Sequence, residues 1–441
     1  MQLKPIAKKA ILVLLPILLI GFTAHAQKLV KDYVEKNAVP ISTIEPDSTN
    51  YTDLEPIGNA IGNAKIVMLG EQDHGDAPTF LAKTRLIKYL HERKGFNVLA
   101  FESDFFGLND GWERLPKREL AIDSFLWQNI FSIWTACKSC TNLFFDYVPS
   151  TWKTSSPLTI TGFDSQQYLY YSFRHLGKRL DTVLRGFNLP ITKRTDYAAA
   201  VIPLIDSSKV WTLKPPADIS RIDACLHYLQ TIRSELATVV KADDFWIYVV
   251  DNMIQQVESA KIFTITKKLT GNTRDVRMAI NLQWLNDVKF KNEKIIVWAA
   301  DYHTMRPGTN MKEHFFDVDT TMGDVFAKNE KNGKVYSIGF TSYKGEAGRL
   351  NTKPHKVYEP RGNGFETWIN QKHDYAFVDF QKFNSQNQNA DEYFYMKSLG
   401  HLSYFAKWNY VFDGIFFIRN MYPCEPSYAP VWVKPEAKKQ P

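Results

Sequence analysis

The chain has 441 residues and a formal net charge of +7. Without the three lysines of the first 26 residues the charge is about +4, and no basic cluster stands out, so we expect no nucleic-acid partner. The length is large for one domain, but no linker or internal repeat divides it, and we expect a single domain over residues 27–441.

The first 26 residues have the pattern of a secretory signal peptide. Three lysines precede an apolar stretch at residues 11–20, and Ala24-His25-Ala26 is a small-x-small cleavage site. The apolar stretch is too short to span a bilayer comfortably. The cleavage site has no cysteine, so lipid attachment is not suggested. We expect export to the periplasm or beyond, a mature chain starting near Gln27, and no stable membrane insertion.

The stretch from residue 65 to residue 104 predicts a strand–helix–strand unit. An apolar run at residues 66–69 stops at Gly70, a helical pattern then continues to Gly95, and a second apolar run covers residues 97–101. A single crossover helix joins the two runs, so we expect the two strands to be parallel neighbours.

Titratable side chains follow both of these strands. Glu71 and His74 come directly after the first strand, and Glu102 comes after the second. Open α/β sheets bind their ligands at the carboxyl ends of the strands, and charged groups placed there are costly to desolvate unless they are paired or used. Each residue alone is compatible with a helix cap, but the group favours a working site.

Two later apolar runs repeat this pattern. Residues 158–163 are followed by Asp164 and Gln166, and residues 294–299 are followed by a segment that contains His303. The four strands together predict an α/β fold with a mainly parallel sheet flanked by helices.

Between the third and fourth strands the spacing is helical. Residues 168–269 lack strand patterns, so we expect a helical subdomain inserted into the α/β fold. A further predicted helix leads back to the sheet and carries Arg274 and Arg277 at its start. These arginines are candidates for binding a carboxylate or an oxyanion, and a surface ion pair is the alternative.

After His303 the strand signals are weaker. They predict strands at residues 334–340, 375–380 and 414–418, a long loop over the rim of the site at residues 344–367, and a proline-rich extended tail.

The four cysteines leave several alternatives open. Cys137 and Cys140 form a C-x-x-C motif that fits a short-range disulfide, a redox motif or half of a metal site. No strand is predicted before the motif, as a redox helix would need, and Cys225 and Cys424 lie far apart for a second ligand pair. The sequence favours a structural disulfide or inert thiols, with the connectivity open.

Ordered motifs run through most of the mature chain. They are Gly70-Glu71-x-x-His74-Gly75, Gly95-Phe96, Glu102-x-Asp104, Gly162-Phe163-Asp164 with Gln166, Arg274-Asp275-x-x-Met278-Ala279-x-Asn281 with Trp284, Val297-Trp298-Ala299 with His303, Met322-Gly323, and Ile338-Gly339-Phe340 with Gly345. In this order they resemble the erythromycin esterase family. The resemblance implies metal-independent hydrolysis of a macrocyclic lactone, with no cofactor, with His74 as the base, and with a link to antibiotic response.

The sequence departs from the family pattern at several positions. A His-Asn-x-His turn is expected where the chain has Ala300-Asp301-Tyr302-His303, and an arginine is expected where Lys83 stands. Lys83 keeps the positive charge but lacks the planar fork of arginine.

These observations predict an exported hydrolase of small-molecule esters or lactones. A histidine held by a glutamate can take a proton from water near neutral pH, and the water then attacks the carbonyl. We expect His74 as the general base, with Glu102 positioning either His74 or the attacking water. The catalytic candidates are His74, Glu71, Glu102 and His303, and the substrate or oxyanion candidates are Lys83, Arg274, Arg277, Asp164 and Gln166.

Two alternatives stay open. One is a hydrolase of the same fold that acts on another bond with a divalent metal on Glu71, His74, Glu102 and His303. The other is a protein that binds its ligand without turnover. No G-x-S-x-G elbow and no H-E-x-x-H motif occurs, so a serine hydrolase of the usual α/β type and a zincin are not expected.

Overall fold

The computed structural model describes residues 28–268, 271–308, 310–312, 320–330, 333–388 and 390–427. The predicted signal peptide lies outside the described residues, and so does the end of the predicted proline-rich tail. Within the described ranges, no helix combines the length and the apolar character needed to cross a membrane.

The chain forms eleven strands and a larger number of helices within the described ranges. The strands are β1 (Val39–Ile41), β2 (Ala64–Leu69), β3 (Val98–Asp104), β4 (Thr159–Asp164), β5 (Ile295–Trp298), β6 (Lys334–Ala347), β7 (His355–Val357), β8 (Tyr375–Asp379), β9 (Phe394–Leu399), β10 (Leu402–Ala406) and β11 (Gly414–Met421). The α-helices are α1 (28–37), α2 (Glu55–Ile61), α3 (Ala77–Lys94), α4 (Trp112–Arg114), α5 (Glu119–Asn129), α6 (Ser132–Thr135), α7 (Val148–Thr151), α8 (Tyr170–Gly186), α9 (Ile202–Ser207), α10 (Ile219–Leu236), α11 (Phe245–Thr266), α12 (Gly271–Trp284), α13 (Asp301–Thr304), α14 (Met322–Asn329), α15 (Phe380–Gln386) and α16 (Trp408–Val411). Short 3-10 or π-helical turns cover Thr52–Leu54, Gly107–Gly111, Lys138–Cys140, Asn142–Tyr147, Pro190–Lys193, Tyr197–Val201, Ser208–Val210, Leu285–Lys289 and Phe365–Thr367.

One mixed sheet organises the described part of the molecule. Its nine strands run in the order β1-β8-β11-β6-β2-β5-β3-β4, with β7 added to β6, while β9 and β10 pair separately. The strands from β11 to β4 are parallel, and β8 is antiparallel to both of its neighbours. The predicted α/β fold with a mainly parallel sheet is therefore confirmed.

One prediction about the sheet was wrong. β2 and β3 are not neighbours, because β5 lies between them and pairs with both in parallel. All four residues of β5 are buried and apolar, and such a strand is best accommodated in the middle of a parallel sheet. The strands that flank it are the first two core strands, so three strand ends converge on the site.

Both faces of the central strands are buried. In β2, Val67 and Leu69 belong to a core shared with α3, while Ile66 and Met68 belong to a core shared with the helical insertion. Burial on both faces explains why these strands are continuous apolar runs in the sequence. The first polar side chains after each run therefore mark the carboxyl edge of the sheet.

The helical insertion is confirmed between β4 and β5. It contains α8, α9, α10 and α11, and its buried residues, among them Leu176, Leu180 and Val250, belong to the same hydrophobic core as Ile66 and Met68 of β2. The last predicted residue of the insertion, at position 269, lies outside the described residues. The prediction of a single domain stays a prediction.

The loop predicted at residues 344–367 was partly wrong. β6 continues to Ala347 and pairs with β7, so only the connection between them and the segment after β7 are irregular. The connection still borders the predicted site, because the guanidinium Nη2 of Arg349 lies 2.7 Å from the carboxylate of Asp73.

The disulfide joins Cys137 to Cys424 across 287 residues of sequence, so the short-range bridge within the C-x-x-C motif does not form. Cys140 and Cys225 are free and buried. The bridge and an adjacent backbone contact of Pro426 with Cys137 fix the segment after β11, which the sequence had predicted to be an extended tail.

Candidate active site

The turn between β2 and α3 carries the first functional side chains. It is tightly enclosed, because a Cβ atom at Gly70 would collide with the Asp301 carboxylate and one at Gly75 with the backbone of Gly348. The two glycines of the motif are therefore required by close packing. Asp76 has the extended backbone of an N-cap, and Pro78 lies in the first turn of α3, so the helix begins directly after His74 and its turn.

Glu71 is fully buried and accepts hydrogen bonds from three side chains. His74 Nδ1 lies 2.8 Å from Oε1, Trp134 Nε1 lies 2.9 Å from the same oxygen, and Lys83 Nζ lies 2.7 Å from Oε2. Lys83 is also fully buried, with its ammonium 3.9 Å above the centre of the Trp298 ring. Burial lowers the pKa of Lys83, while the Glu71 carboxylate acts in the opposite direction.

The contact with Glu71 defines what His74 can do. Because the carboxylate accepts from Nδ1, the neutral ring carries its proton there, and the lone pair of Nε2 is left for another partner. The described residues provide no hydrogen bond to Nε2, and the His74 side chain is 17% exposed. His74 therefore presents a basic nitrogen to solvent while its other nitrogen is held.

A second cluster is centred on Arg274 at the start of α12. Its Nε and Nη2 donate to Asp164 at 3.1 and 2.7 Å, and Nη2 also lies 2.8 Å from Glu102 Oε1. The Arg274 guanidinium thus links Glu102 near the end of β3 to Asp164 at the end of β4. The Arg274 side chain remains 24% exposed, and the carboxylates raise the pKa of Arg274 well above its ordinary value although burial opposes them.

His303 lies between two carboxylates. Nδ1 is 2.8 Å from Asp275 Oδ1, and Nε2 is 3.1 Å from Glu102 Oε1. Burial alone would lower the pKa of His303, but the charges of Asp275 and Glu102 outweigh it and raise the pKa to about 10. His303 is therefore an imidazolium near neutral pH, and both of its N–H groups are used.

Glu102 faces both clusters. Burial favours its neutral form, but the charges of His303, Arg274 and His74 outweigh it and hold the pKa of Glu102 well below the ordinary value. Its second oxygen accepts from the backbone N–H of Ala300 at 3.1 Å. The next residue, Asp301, donates its backbone N–H to the carbonyl of Glu71 at 2.8 Å, so the two clusters are neighbours at the sheet edge.

The structure corrects the first half of the prediction for Glu102, that it positions His74, while the second half, that it positions the attacking water, stays a prediction. Glu71 holds the His74 ring, whereas Glu102 is occupied by Arg274, His303 and Ala300. The physical reason is that Arg274 and His303, two cations from later parts of the chain, already bind the Glu102 carboxylate.

The side chains of two predicted residues do not join these clusters. The Nε of Arg277 donates to Asn252 at 2.7 Å, so its guanidinium binds to helix α11 of the helical insertion. Gln166 contributes its backbone N–H to Asp164 at 3.1 Å, and its side chain lies near Tyr168.

Two contributing residues were not predicted from the sequence. Trp134 orients Glu71, and no signal marks it because an indole near a C-x-x-C motif has many roles. Asp275 orients His303 and also accepts from the backbone N–H of Met322 at 2.9 Å. Its position directly after Arg274 was the available signal.

The donor atoms do not favour the metal alternative. The oxygens of Glu71 and Glu102 already accept from cations and N–H groups, as described above. Among the residues that the structure describes, no group of three or more His, Cys, Asp or Glu side chains is arranged to hold a metal ion.

The contacts of His303 with Asp275 and Glu102 predict that the free energy of unfolding depends on pH. A pKa raised from 6.5 to about 10 in the folded state contributes stability that is complete below about 6.5 and is lost as the pH rises through about 10. The free energy of unfolding should fall more steeply over this window in the wild type than in His303→Gln. Urea titrations of both proteins across the window measure this difference, and equal slopes would contradict the pairing.

Comparisons with known proteins concern the family and the fold of the chain. A family model described as erythromycin esterase matches residues 91–420. The match begins after Glu71, His74 and Lys83, so the placement of these three residues rests on the geometry given above.

Two relatives have similar lengths. The YbfO protein of Bacillus subtilis (strain 168), which bears a provisional hydrolase name, is 25% identical over 354 residues, or 76% of this chain and 77% of that protein. Erythromycin esterase type II of Escherichia coli is 24% identical over 364 residues, or 76% and 82% of the two chains.

Solved structures show the same fold. A protein from Bacillus cereus superposes with a TM-score of 0.69 and 19% identity, over 91% of this chain and 99% of its own. An erythromycin esterase mutant in its open conformation superposes with a TM-score of 0.61 and 16% identity, over 87% and 97% of the two chains. Since the family model covers most of the sequence, the chain belongs to the erythromycin esterase family, and this membership supports a hydrolase function.

Proposed function

We propose that the protein hydrolyses carboxylic esters, including lactones, with a water molecule activated by His74. The observation that carries this proposal is the His74–Glu71 contact, which fixes one ring nitrogen and leaves the other open to solvent. Family membership supports a hydrolase that takes a small-molecule substrate, and the choice of an ester bond follows the name of the Escherichia coli relative.

The first step is removal of a proton from water. His74 Nε2 accepts the proton as the water oxygen forms a bond to the ester carbonyl carbon. The resulting imidazolium is stabilised by Glu71, which Lys83 and Trp134 hold in a single orientation. When the tetrahedral intermediate collapses, the ester C–O bond breaks and the same imidazolium returns the proton to the leaving alkoxide.

We assign the stabilisation of the oxyanion to Arg274. Its Nε and Nη2 are held by carboxylates, whereas Nη1 has no carboxylate partner among the described residues and lies 3.4 Å from His303 Nε2. At neutral pH the His303 ring donates to Asp275 and Glu102, so the Nη1 donors remain for a substrate oxygen. A preorganised cation of this kind typically contributes several kcal/mol to a developing oxyanion, about 3–4 for one donor.

A thiol nucleophile does not fit this site. Cys140 lies near Glu71, but burial raises the pKa of its thiol well above the ordinary value, and the Glu71 charge acts in the same direction. The thiolate form is therefore disfavoured, and water is the better nucleophile.

The name of the Escherichia coli relative suggests erythromycin as a substrate for that protein. For this chain we propose the broader substrate class of esters and macrocyclic lactones. Macrolides are one member of this class, and their inactivation would give the protein a role in antibiotic response. The departures at Ala300 and Lys83 are the reason for the broader class.

A substrate panel tests the proposal. Purified protein is assayed with activated esters, simple lactones, a macrocyclic lactone and amides matched to the esters, with and without a chelator. We expect turnover of the esters and lactones, much slower turnover of the amides, and no effect of the chelator. Loss of activity with the chelator would support the metal alternative, and tight binding without any turnover would support a binding protein.

We also propose that the chain is exported. The pattern of the first 26 residues and the disulfide between Cys137 and Cys424 both fit an oxidising destination. Amino-terminal sequencing of protein from the native host checks this proposal: a start near Gln27 would support it, and an intact Met1 on cytoplasmic protein would contradict it.

A further inference from the structure

A second line of polar groups lies beside the proposed site and takes no part in the mechanism above. The Ser342 hydroxyl is 2.9 Å from His401 Nδ1, and His401 Nε2 is 3.0 Å from Asp76 Oδ1. All three side chains are buried, and they come from β6, from the turn between β9 and β10, and from the N-cap of α3.

This serine, histidine and aspartate do not form a nucleophilic site. Ser342 is fully buried in the central part of β6, where a substrate carbonyl has no access to its hydroxyl. The hydrogen bonds from Ser342 through His401 to Asp76 therefore have a structural role, which is to hold another segment in place.

The line ends at the turn that carries His74. The other oxygen of the Asp76 carboxylate accepts the backbone N–H of Asp73 at 3.0 Å. One residue before His401, the backbone N–H of Gly400 donates to the carbonyl of Gln72 at 3.0 Å. The β9–β10 turn thus contacts residues on both sides of His74 in the sequence.

The backbone of His401 belongs to a tight hairpin turn. Gly400 and His401 lie between the paired residues Leu399 and Leu402, and their φ angles are +56° and +59°, as a two-residue hairpin turn requires. The turn therefore fixes the backbone of His401, and the ring reaches Ser342 and Asp76 from this fixed position.

We propose that His401 is a positioning residue for His74. Its ring connects the sheet at Ser342 to Asp76, and Asp76 fixes the turn so that His74 Nδ1 meets Glu71. The catalytic consequence rests on the proposed esterase function, whereas the structural consequence for the His74 ring does not.

The variant His401→Asn tests the proposal. Asparagine tolerates a positive φ angle, so the backbone is kept, but its side chain is too short to reach both Ser342 and Asp76. The matched control is His91→Asn, because His91 is 8% exposed against 7% for His401 and also loses a hydrogen bond, a partly buried one to the Tyr147 hydroxyl at 2.7 Å. His91 lies in the last turn of α3, at the end opposite to the site.

Two readouts are measured for both variants. The first is kcat and KM on the best ester of the panel, and we expect kcat to fall by about tenfold to a hundredfold in His401→Asn with KM unchanged. The second is the Nδ1–H signal of His74 in protein labelled with 15N at histidine. We expect this signal to shift or broaden in His401→Asn and to stay unchanged in His91→Asn.

An unchanged His74 signal in His401→Asn would overturn the proposal, whatever the activity. If the wild type turns over no ester, the proposed function fails, and the His74 signal still decides the positioning role. If His401→Asn does not fold, Ser342→Ala removes only one hydroxyl and repeats both measurements. An equal fall of kcat in the His91 control would also contradict the proposal, because it would reflect general loss of stability.

Discussion

Lys83→Met should lower the free energy of unfolding by about 3–5 kcal/mol, the usual cost of leaving one member of a buried ion pair without its partner. Lys83 and Glu71 are both fully buried, and their charged atoms are 2.7 Å apart. The substitution keeps the volume of the side chain but leaves the Glu71 carboxylate in the core without its ammonium. Equilibrium urea unfolding measures the loss.

A double-variant cycle separates this charge effect from a packing effect. Lys83→Met combined with Glu71→Gln should recover most of the lost free energy, because neither buried group is then charged. The control is Lys153→Met, which breaks an exposed pair with Glu119 and should cost less than about 1 kcal/mol. If the double variant is as unstable as the sum of the single variants, the pair is not the source of the stability.

The double variant also tests the division of roles in the site. It should be well folded yet inactive, since Glu71 orients His74 and a neutral amide cannot stabilise the imidazolium formed in the reaction. The position at which the family pattern has an arginine thus carries a lysine whose role here is to hold Glu71.

Much of this fold follows from local sequence patterns. The four core strands are short apolar runs, and both faces of each are buried, so each run and the polar groups after it could be predicted. The neighbour relationship of β2 and β3 could not, because the placement of β5 depends on pairing between segments more than 190 residues apart. Crossover rules describe tendencies for consecutive strands and do not determine which later strand is inserted.

For the site residues, too, some features could be predicted from the sequence and others could not. His74 and His303 follow strands, Glu102 lies near the end of β3, and all three were predicted from these positions alone. Which carboxylate holds His74 was not predictable, since Arg274 reaches Glu102 from 172 residues away and leaves Glu71 as the partner of the base.

Contacts between distant segments left no pattern in the sequence at all. The Cys137–Cys424 bridge and the hydrogen bond between His401 and Asp76 each join segments that are close only after folding. A lone histidine in a turn and a helix N-cap are both common features, so their partnership becomes visible only in three dimensions.

His74→Asn should lower kcat by about a hundredfold to ten-thousandfold, which is the typical contribution of a general base. Asparagine can still donate to the Glu71 carboxylate from its amide, so the turn and the buried pair with Lys83 should remain folded. Its amide has no basic nitrogen, and hydrolysis should therefore lose the proton acceptor while substrate binding is largely kept.

Glu71→Gln should also lower kcat, and the losses should not add in the double variant because the two residues act as one unit. The competing account treats His74 only as a residue at the start of a helix. It predicts a lower melting temperature for His74→Asn and little change in kcat.

The most direct measurement is kcat of the wild type and of His74→Asn on the best ester of the panel, with the melting temperature of each protein recorded alongside. The account predicts a loss of at least about a hundredfold in kcat at a nearly unchanged melting temperature. Turnover by His74→Asn at the wild-type rate would contradict the proposed mechanism.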